Sequence, residues 1–149
     1  MNNLPEDDLS VKQSIVNMLV CMDIDQLREG NIIVVYPREN QEGILSIREM
    51  HQKSVICDML SPRAGYQFRI LLNEINPIRL SNDWLVKASF RQDPDEMDRW
   101  LGPDDLLPFR FLGRSGILGH VDERKVEYLH QLQNTYFELT GKKLHVSIN

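Results

Sequence analysis

Apolar positions along the chain follow two periods in turn. Ser10 and Gln13 make an S-x-x-Q pattern, which can satisfy two unpaired amides at a helix start. Val11, Ile15, Met18, Leu19 and Met22 follow at steps of three and four, predicting a short N-terminal helix over about 11–22. Its apolar stripe is expected to dock on the domain, and residues 1–9 read as a polar arm. The period then shortens. Residues 31–36 are β-branched and closed by Pro37, residues 44–50 alternate imperfectly, residues 53–60 place Val55, Cys57 and Met59 on one face, and residues 66–72 alternate cleanly. Polar turns at 39–43 and 61–65 join them. Four short strands in sequence predict a meander, and curling it into an SH3-like half-barrel reduces its exposed edges. Tyr66 and Phe68 share a strand face and are assigned to the core.

Asn76-Pro77 interrupts the strand pattern. Ser81 can cap a short helix over 82–89, with Trp84, Leu85 and Ala88 inward. Residues 91–108 are acidic and proline-bearing, and read as a loop anchored by Trp100-Leu101. Residues 109–112 and 117–121 suggest a hairpin across a glycine-bearing turn. The longest helix is expected to start at an Asp122 N-cap, with Val121 and Val126 as a hydrophobic staple. Val126, Leu129, Leu132, Tyr136 and Leu139 supply its stripe, and Gly141 its left-handed C-cap, followed by Lys142 and Lys143. Residues 144–148 alternate as a last strand. No repeat or linker divides the pattern. The expected fold is therefore α+β in a single domain, 1–149: a small curled antiparallel sheet packed with a long C-terminal amphipathic helix and a short N-terminal one.

Composition adds limits. The 149 residues are 42% apolar and 26% charged, enough for one core without staples. No apolar run approaches the roughly 20 residues that span a bilayer, and the acidic start (Glu6, Asp7, Asp8) is unlike a secretory signal, so a cytoplasmic location is expected. Cys21 and Cys57 then read as free thiols. The net charge of −5 argues against a nucleic-acid binder, since phosphate neutralisation supplies most of that affinity, although a local basic face stays open.

Three segments carry a resemblance. Leu27-Arg28-Glu29-Gly30-Asn31-Ile32-Ile33, the stretch from Ile75 to Leu85 that includes Asn76-Pro77 and Asp83-Trp84, and the stretch from Tyr128 to Leu144 with His130-Gln131-Leu132-Gln133-Asn134 are similar to a family of small proteins common in Bacteroidetes genomes, often within prophages and other mobile elements. The resemblance implies the same architecture and a mobile-element origin. It implies no activity and assigns no catalytic residue.

Candidate chemistry is sparse. His51, His120, His130 and His145 do not stand at metal-ligand spacings, and neither cysteine belongs to a C-x-x-C pair. The carboxylates from Asp93 to Asp105 lack the glycine and glutamate of a calcium loop at the required positions. The turn from Gly113 to Gly119 lacks the Lys-Ser/Thr ending of a phosphate loop, and no serine sits in a nucleophile elbow. No cofactor, metal or catalytic residue is assigned. One helix face, His130, Asn134 and Phe137, is the candidate partner-binding stripe.

The expected function is a non-catalytic accessory or regulatory interaction protein of a phage or mobile element, acting on a protein partner. The alternative is a nucleic-acid-binding or ribonuclease-like small barrel. It rests on Arg48, Lys53, Arg63, Arg69 and Arg79 interleaved with Tyr36, Tyr66 and Phe68, and on a 30–35 segment similar to the first strand of messenger-RNA-cleaving toxins. Those toxins pair an arginine with a serine or threonine, and the sequence alone does not place such a pair. A third reading makes the acidic loop a nucleic-acid mimic.

Overall fold

The computed structural model describes residues 26–103, 108–113, 115–118 and 124–148. The expected N-terminal helix, Cys21, Asp104, Asp105, His120 and the Asp122 cap lie outside these residues. The chain divides into two compact units, Met1–Pro77 and Ile78–Asn149.

The first unit is the expected meander. Strands β1 (Ile32–Arg38), β2 (Gln41–Met50), β3 (Ser54–Ser61) and β4 (Gln67–Leu71) pair antiparallel in sequence order. β-Branched residues suit β1 because its first half is buried: Ile32, Ile33 and Val34 are nearly inaccessible. Asn40, with φ of 63°, makes the tight β1–β2 turn in the left-handed region that asparagine tolerates. Register shifts in both the β1–β2 and β2–β3 ladders mark bulges, which sharpen local twist and bend a sheet. A 3-10 turn at Leu72–Glu74 then carries the chain back to β1. There the Val34 amide donates to the Asn76 carbonyl at 3.1 Å, and the Asn76 amide returns a bond to Val34 at 2.9 Å. Asn76 thus extends the curl rather than merely ending the sheet. The concave face buries Leu27, Ile33, Leu45, Ile47, Val55, Cys57 and Ile75, with Val35, Met50, Met59, Ile70 and Leu72 at its margin.

The second unit holds a meander too. Strands β5 (Arg91–Gln92), β6 (Arg99–Leu101), β7 (Pro108–Phe111), β8 (Gly116–Leu118) and β9 (Arg124–Val126) form a five-stranded antiparallel sheet in sequence order. Helix α1 (Asn82–Lys87) precedes it, and Ser81 caps α1 as expected, its hydroxyl accepting from the Trp84 amide. Helix α2 (Leu129–Thr140) follows. Aromatic rings fill the interior: Phe90 meets Phe109 and Tyr136 edge-on, and Phe109 stacks on Phe111 at 5.7 Å between centroids. Gly116 is required here, because a Cβ would stand 2.5 Å from the Phe109 ring and from the Arg110 carbonyl.

Three expectations fail in this unit, each because pairing between segments overrides local pattern. Residues 91–108 are not wholly loop: two short strands close on each other through Arg91 opposite Leu101 and Gln92 opposite Trp100. The long helix starts at Leu129, since residues 124–126 are drawn out to pair with β8. Gln131 reaches back past the helix start, its Oε1 accepting from the amides of Glu127 and Tyr128, while the Leu129 amide donates to the Ile78 carbonyl. Residues 144–148 form no strand, although the Ser147 amide donates to the Lys87 carbonyl. At the other end of α2, Gly141 does adopt the left-handed cap, with φ of 73°. No helix among the described residues is long and apolar enough to cross a membrane.

Candidate functional site

The sheet of the first unit does not close along its length. Beyond the Val34–Asn76 bridge, a cleft of about 610 Å³ opens between the end of β1 (Val35, Tyr36, Pro37, Arg38) with its turn (Glu39, Asn40), and Ile70, Asn73, Glu74 and Asn76 across from them. Val35 and Ile70 belong to the core margin, so the cleft has apolar ground beside polar turn residues. Tyr36 stands 56% exposed, while partial burial and then the Glu42 charge hold its hydroxyl above the ordinary tyrosine pKa. Glu74 is committed locally, its carboxylate accepting from the Leu71 amide at 3.0 Å. Pro37 brings no N–H to this margin.

β4 continues the surface. Among the described residues it pairs with β3 alone, so its other edge has no strand beside it. Phe68 lies opposite Cys57, and Cys57 opposite Ile47, which places Phe68 on the concave, core-facing side. Cys57 is fully buried and its thiol is pushed up to about 12, first by burial and then by the Asp58 charge. One strand further out, Phe68 is 41% exposed and Tyr66 53%, with ring centroids 6.5 Å apart. The assignment of Tyr66 and Phe68 to the core is therefore corrected. They do share a face, but it runs past the last strand into solvent.

Cations mark the same strand. Arg63 stands in the turn before it, Arg69 within it, and Lys53 beside its end, where the Leu72 amide donates to the Lys53 carbonyl. Asp58 is taken by Arg48 at 2.9 Å, and Glu49 by His51 at 3.2 Å. Arg69 points to the convex side, opposite Ile56, and its Nη1 donates to the Ser54 hydroxyl at 2.8 Å. An arginine and a serine are thus brought together, which the sequence did not place. Ser54 is buried, so the bond serves to orient Arg69 and does not present a hydroxyl to solvent.

The stripe chosen from sequence is divided by the structure. His130 is only 3% exposed, Asn134 is half-buried, and Phe137 is 44% exposed. The His130 ring stacks on Tyr128, whose hydroxyl accepts from Arg79 and whose face carries the Arg79 guanidinium at 5.2 Å. Nδ1 of His130 has no hydrogen-bond partner among the described residues, and burial pulls its pKa down to about 4. A helix flank reads as exposed in sequence because the segment 78–80, which pairs with residues 127–129, comes from far away in the chain.

Three carboxylates of the acidic stretch lie beside two arginines. Asp93 meets Arg99 at 3.6 Å, and Arg110 lies 3.7 Å from Asp98 and 4.0 Å from Glu96. No metal-holding group of histidine, cysteine and carboxylate side chains occurs among the described residues. What the sequence missed is the cleft, whose polar residues read only as turns. The one available signal was Asn76, an asparagine before proline that is 8% exposed and hydrogen-bonds through its backbone. Comparison with protein-family models, curated proteins and solved structures gives no match for this chain.

Proposed function

We propose that this chain is a non-catalytic interaction module, an accessory or regulatory protein of a phage or mobile element acting in the cytoplasm, and that the open side of its barrel receives a segment of a protein partner. The observation that carries this reading is the Tyr66–Phe68 pair on a core-facing strand face, exposed beside a strand edge with which no other strand among the described residues pairs. A soluble domain usually blunts such an edge. Apolar area left open at a polar rim is the common form of a partner surface.

A second reading, a single-strand nucleic-acid surface, gains from the same aromatics lying near Arg63, Arg69 and Lys53. It also gains from where the acid lies: Glu6, Asp7, Asp8, Asp23 and Asp25 precede the described residues against Lys12 alone, whereas residues 26–77 hold six cations and six carboxylates.

Selection of random ten-residue peptides against the full chain tests the module. Binders are expected that lose affinity on Phe68→Ala and keep it on Phe137→Ala. A selection that yields none, with labelled single-stranded RNA bound or cut at low salt, would favour the second reading.

A further inference from the structure

We infer that the partner segment is an extended peptide alternating apolar and acidic residues, added to β4 as a further antiparallel or parallel strand. The inference rests on the module reading and specifies its ligand. Three observations converge on it.

The first is the backbone. β4 runs over Gln67–Leu71 and among the described residues pairs with β3 alone. Phe68 and Ile70 bond to β3, so the outward N–H and C=O groups are those of Gln67, Arg69 and Leu71, with the Leu71 amide already donating to Glu74. A peptide can complete that ladder, whereas a nucleic acid offers no matching repeat of donors and acceptors. This favours peptide over RNA for the same aromatics.

The second is the alternation of faces. Tyr66, Phe68 and Ile70 stand on the concave side and Gln67, Arg69 and Leu71 on the convex side. A strand laid alongside presents its own residues with the same period of two. Apolar side chains at every second position would then continue the face that begins with Ile47, Cys57 and Phe68. The residues between them would fall on the side of Arg69.

The third is charge. Ser54 fixes the Arg69 guanidinium through a 2.8 Å bond, and no carboxylate among the described residues forms a salt bridge with it. Arg63 and Lys53 add a positive charge at each end of the strand, while Asp58 on β3 is paired with Arg48 at 2.9 Å and Glu49 on β2 lies 3.2 Å from the His51 ring. Carboxylates on the convex side of the added strand meet this row. Lysines there would be repelled.

The test uses the full chain and fluorescein-labelled decapeptides: five Val-Asp repeats, five Val-Ser repeats, five Val-Lys repeats, and a block peptide of five valines followed by five aspartates. Anisotropy at low salt is expected to show the Val-Asp repeat binding at least tenfold tighter than the other three. Arg69→Glu is expected to cost at least tenfold for Val-Asp and to improve Val-Lys. Arg63→Glu serves as the second variant if Arg69→Glu fails to fold. Hydrogen exchange should show the amides of Gln67 and Arg69, which point to the open edge of β4, newly protected in the complex. Equal binding of Val-Ser and Val-Asp, or of the block peptide, would overturn the inference and leave the module reading intact. Protection elsewhere than β4 would also overturn it. Failure of every peptide, with a single-stranded RNA decamer bound instead, would overturn both.

Discussion

The two units treat the same kind of residue in opposite ways. In the second unit, Phe90, Trp100, Phe109, Phe111 and Tyr136 are all buried, with several in ring contact. In the first, Tyr36, Tyr66 and Phe68 are exposed, although Phe68 shares a sheet face with fully buried Cys57 and Val55. Alternation along the strand is equally good for Phe68 and for Phe109. The difference lies in the neighbouring strands: among the described residues β7 has one on each side, β4 only on one. A periodic pattern therefore states which face a residue occupies, and only topology states whether that face is covered.

The comparison is broken most forcefully at Phe109 and Gly116. Phe109→Ala should cost about 3–5 kcal/mol by equilibrium denaturation, as large buried aromatics do. Gly116→Ala should cost about 1–3 kcal/mol or more, because the new methyl meets the Phe109 ring and the Arg110 carbonyl together. A loss below about 1 kcal/mol for either would mean that this interior is not packed as described.

His130 gives the second unit a pH dependence. Its folded pKa, down to about 4, lies below the 6.5 of an exposed histidine, so the unfolded chain takes the proton first. The stability it contributes is complete above pH 6.5 and falls as pH drops toward 4, by about 3 kcal/mol at most. Denaturation midpoints at pH 7 and pH 4.5 should converge in a His130→Phe variant relative to wild type. Parallel pH profiles in the two proteins would contradict a neutral buried imidazole.

How far the sequence reached can be judged from the same residues. The four strands of the first unit were legible because each is bounded by turn residues, β1 carries a β-branched run and the others alternate to differing degrees. Ser81 and Gly141 were legible because capping is local chemistry. The start of α2 was not, since β8 draws residues 124–126 into an extended pairing that the local pattern does not encode. His130, Asn134 and Phe137 were correctly placed along one helix flank, but their exposure depends on segments remote in the chain. The cleft was invisible because turn residues gain a concave shape only when a return segment, here Asn76 on Val34, holds two strand ends apart.

A smaller effect is expected at Ser54. Ser54→Ala removes the hydroxyl that orients Arg69 and should cost about 1 kcal/mol, the usual worth of one such bond. It should also weaken binding of the Val-Asp repeat without abolishing it, because the positive charge remains. An unchanged affinity would mean that the orientation of Arg69 is irrelevant to the ligand.

The smallest effect is the most telling. The paired substitution Tyr66→Ala with Phe68→Ala should lower stability by less than about 1 kcal/mol in urea denaturation, as surface truncations do, while peptide selected on the wild type no longer binds. A loss of about 3 kcal/mol or more, at the level of Phe109→Ala, would show that these rings are interior after all and would contradict an open barrel side.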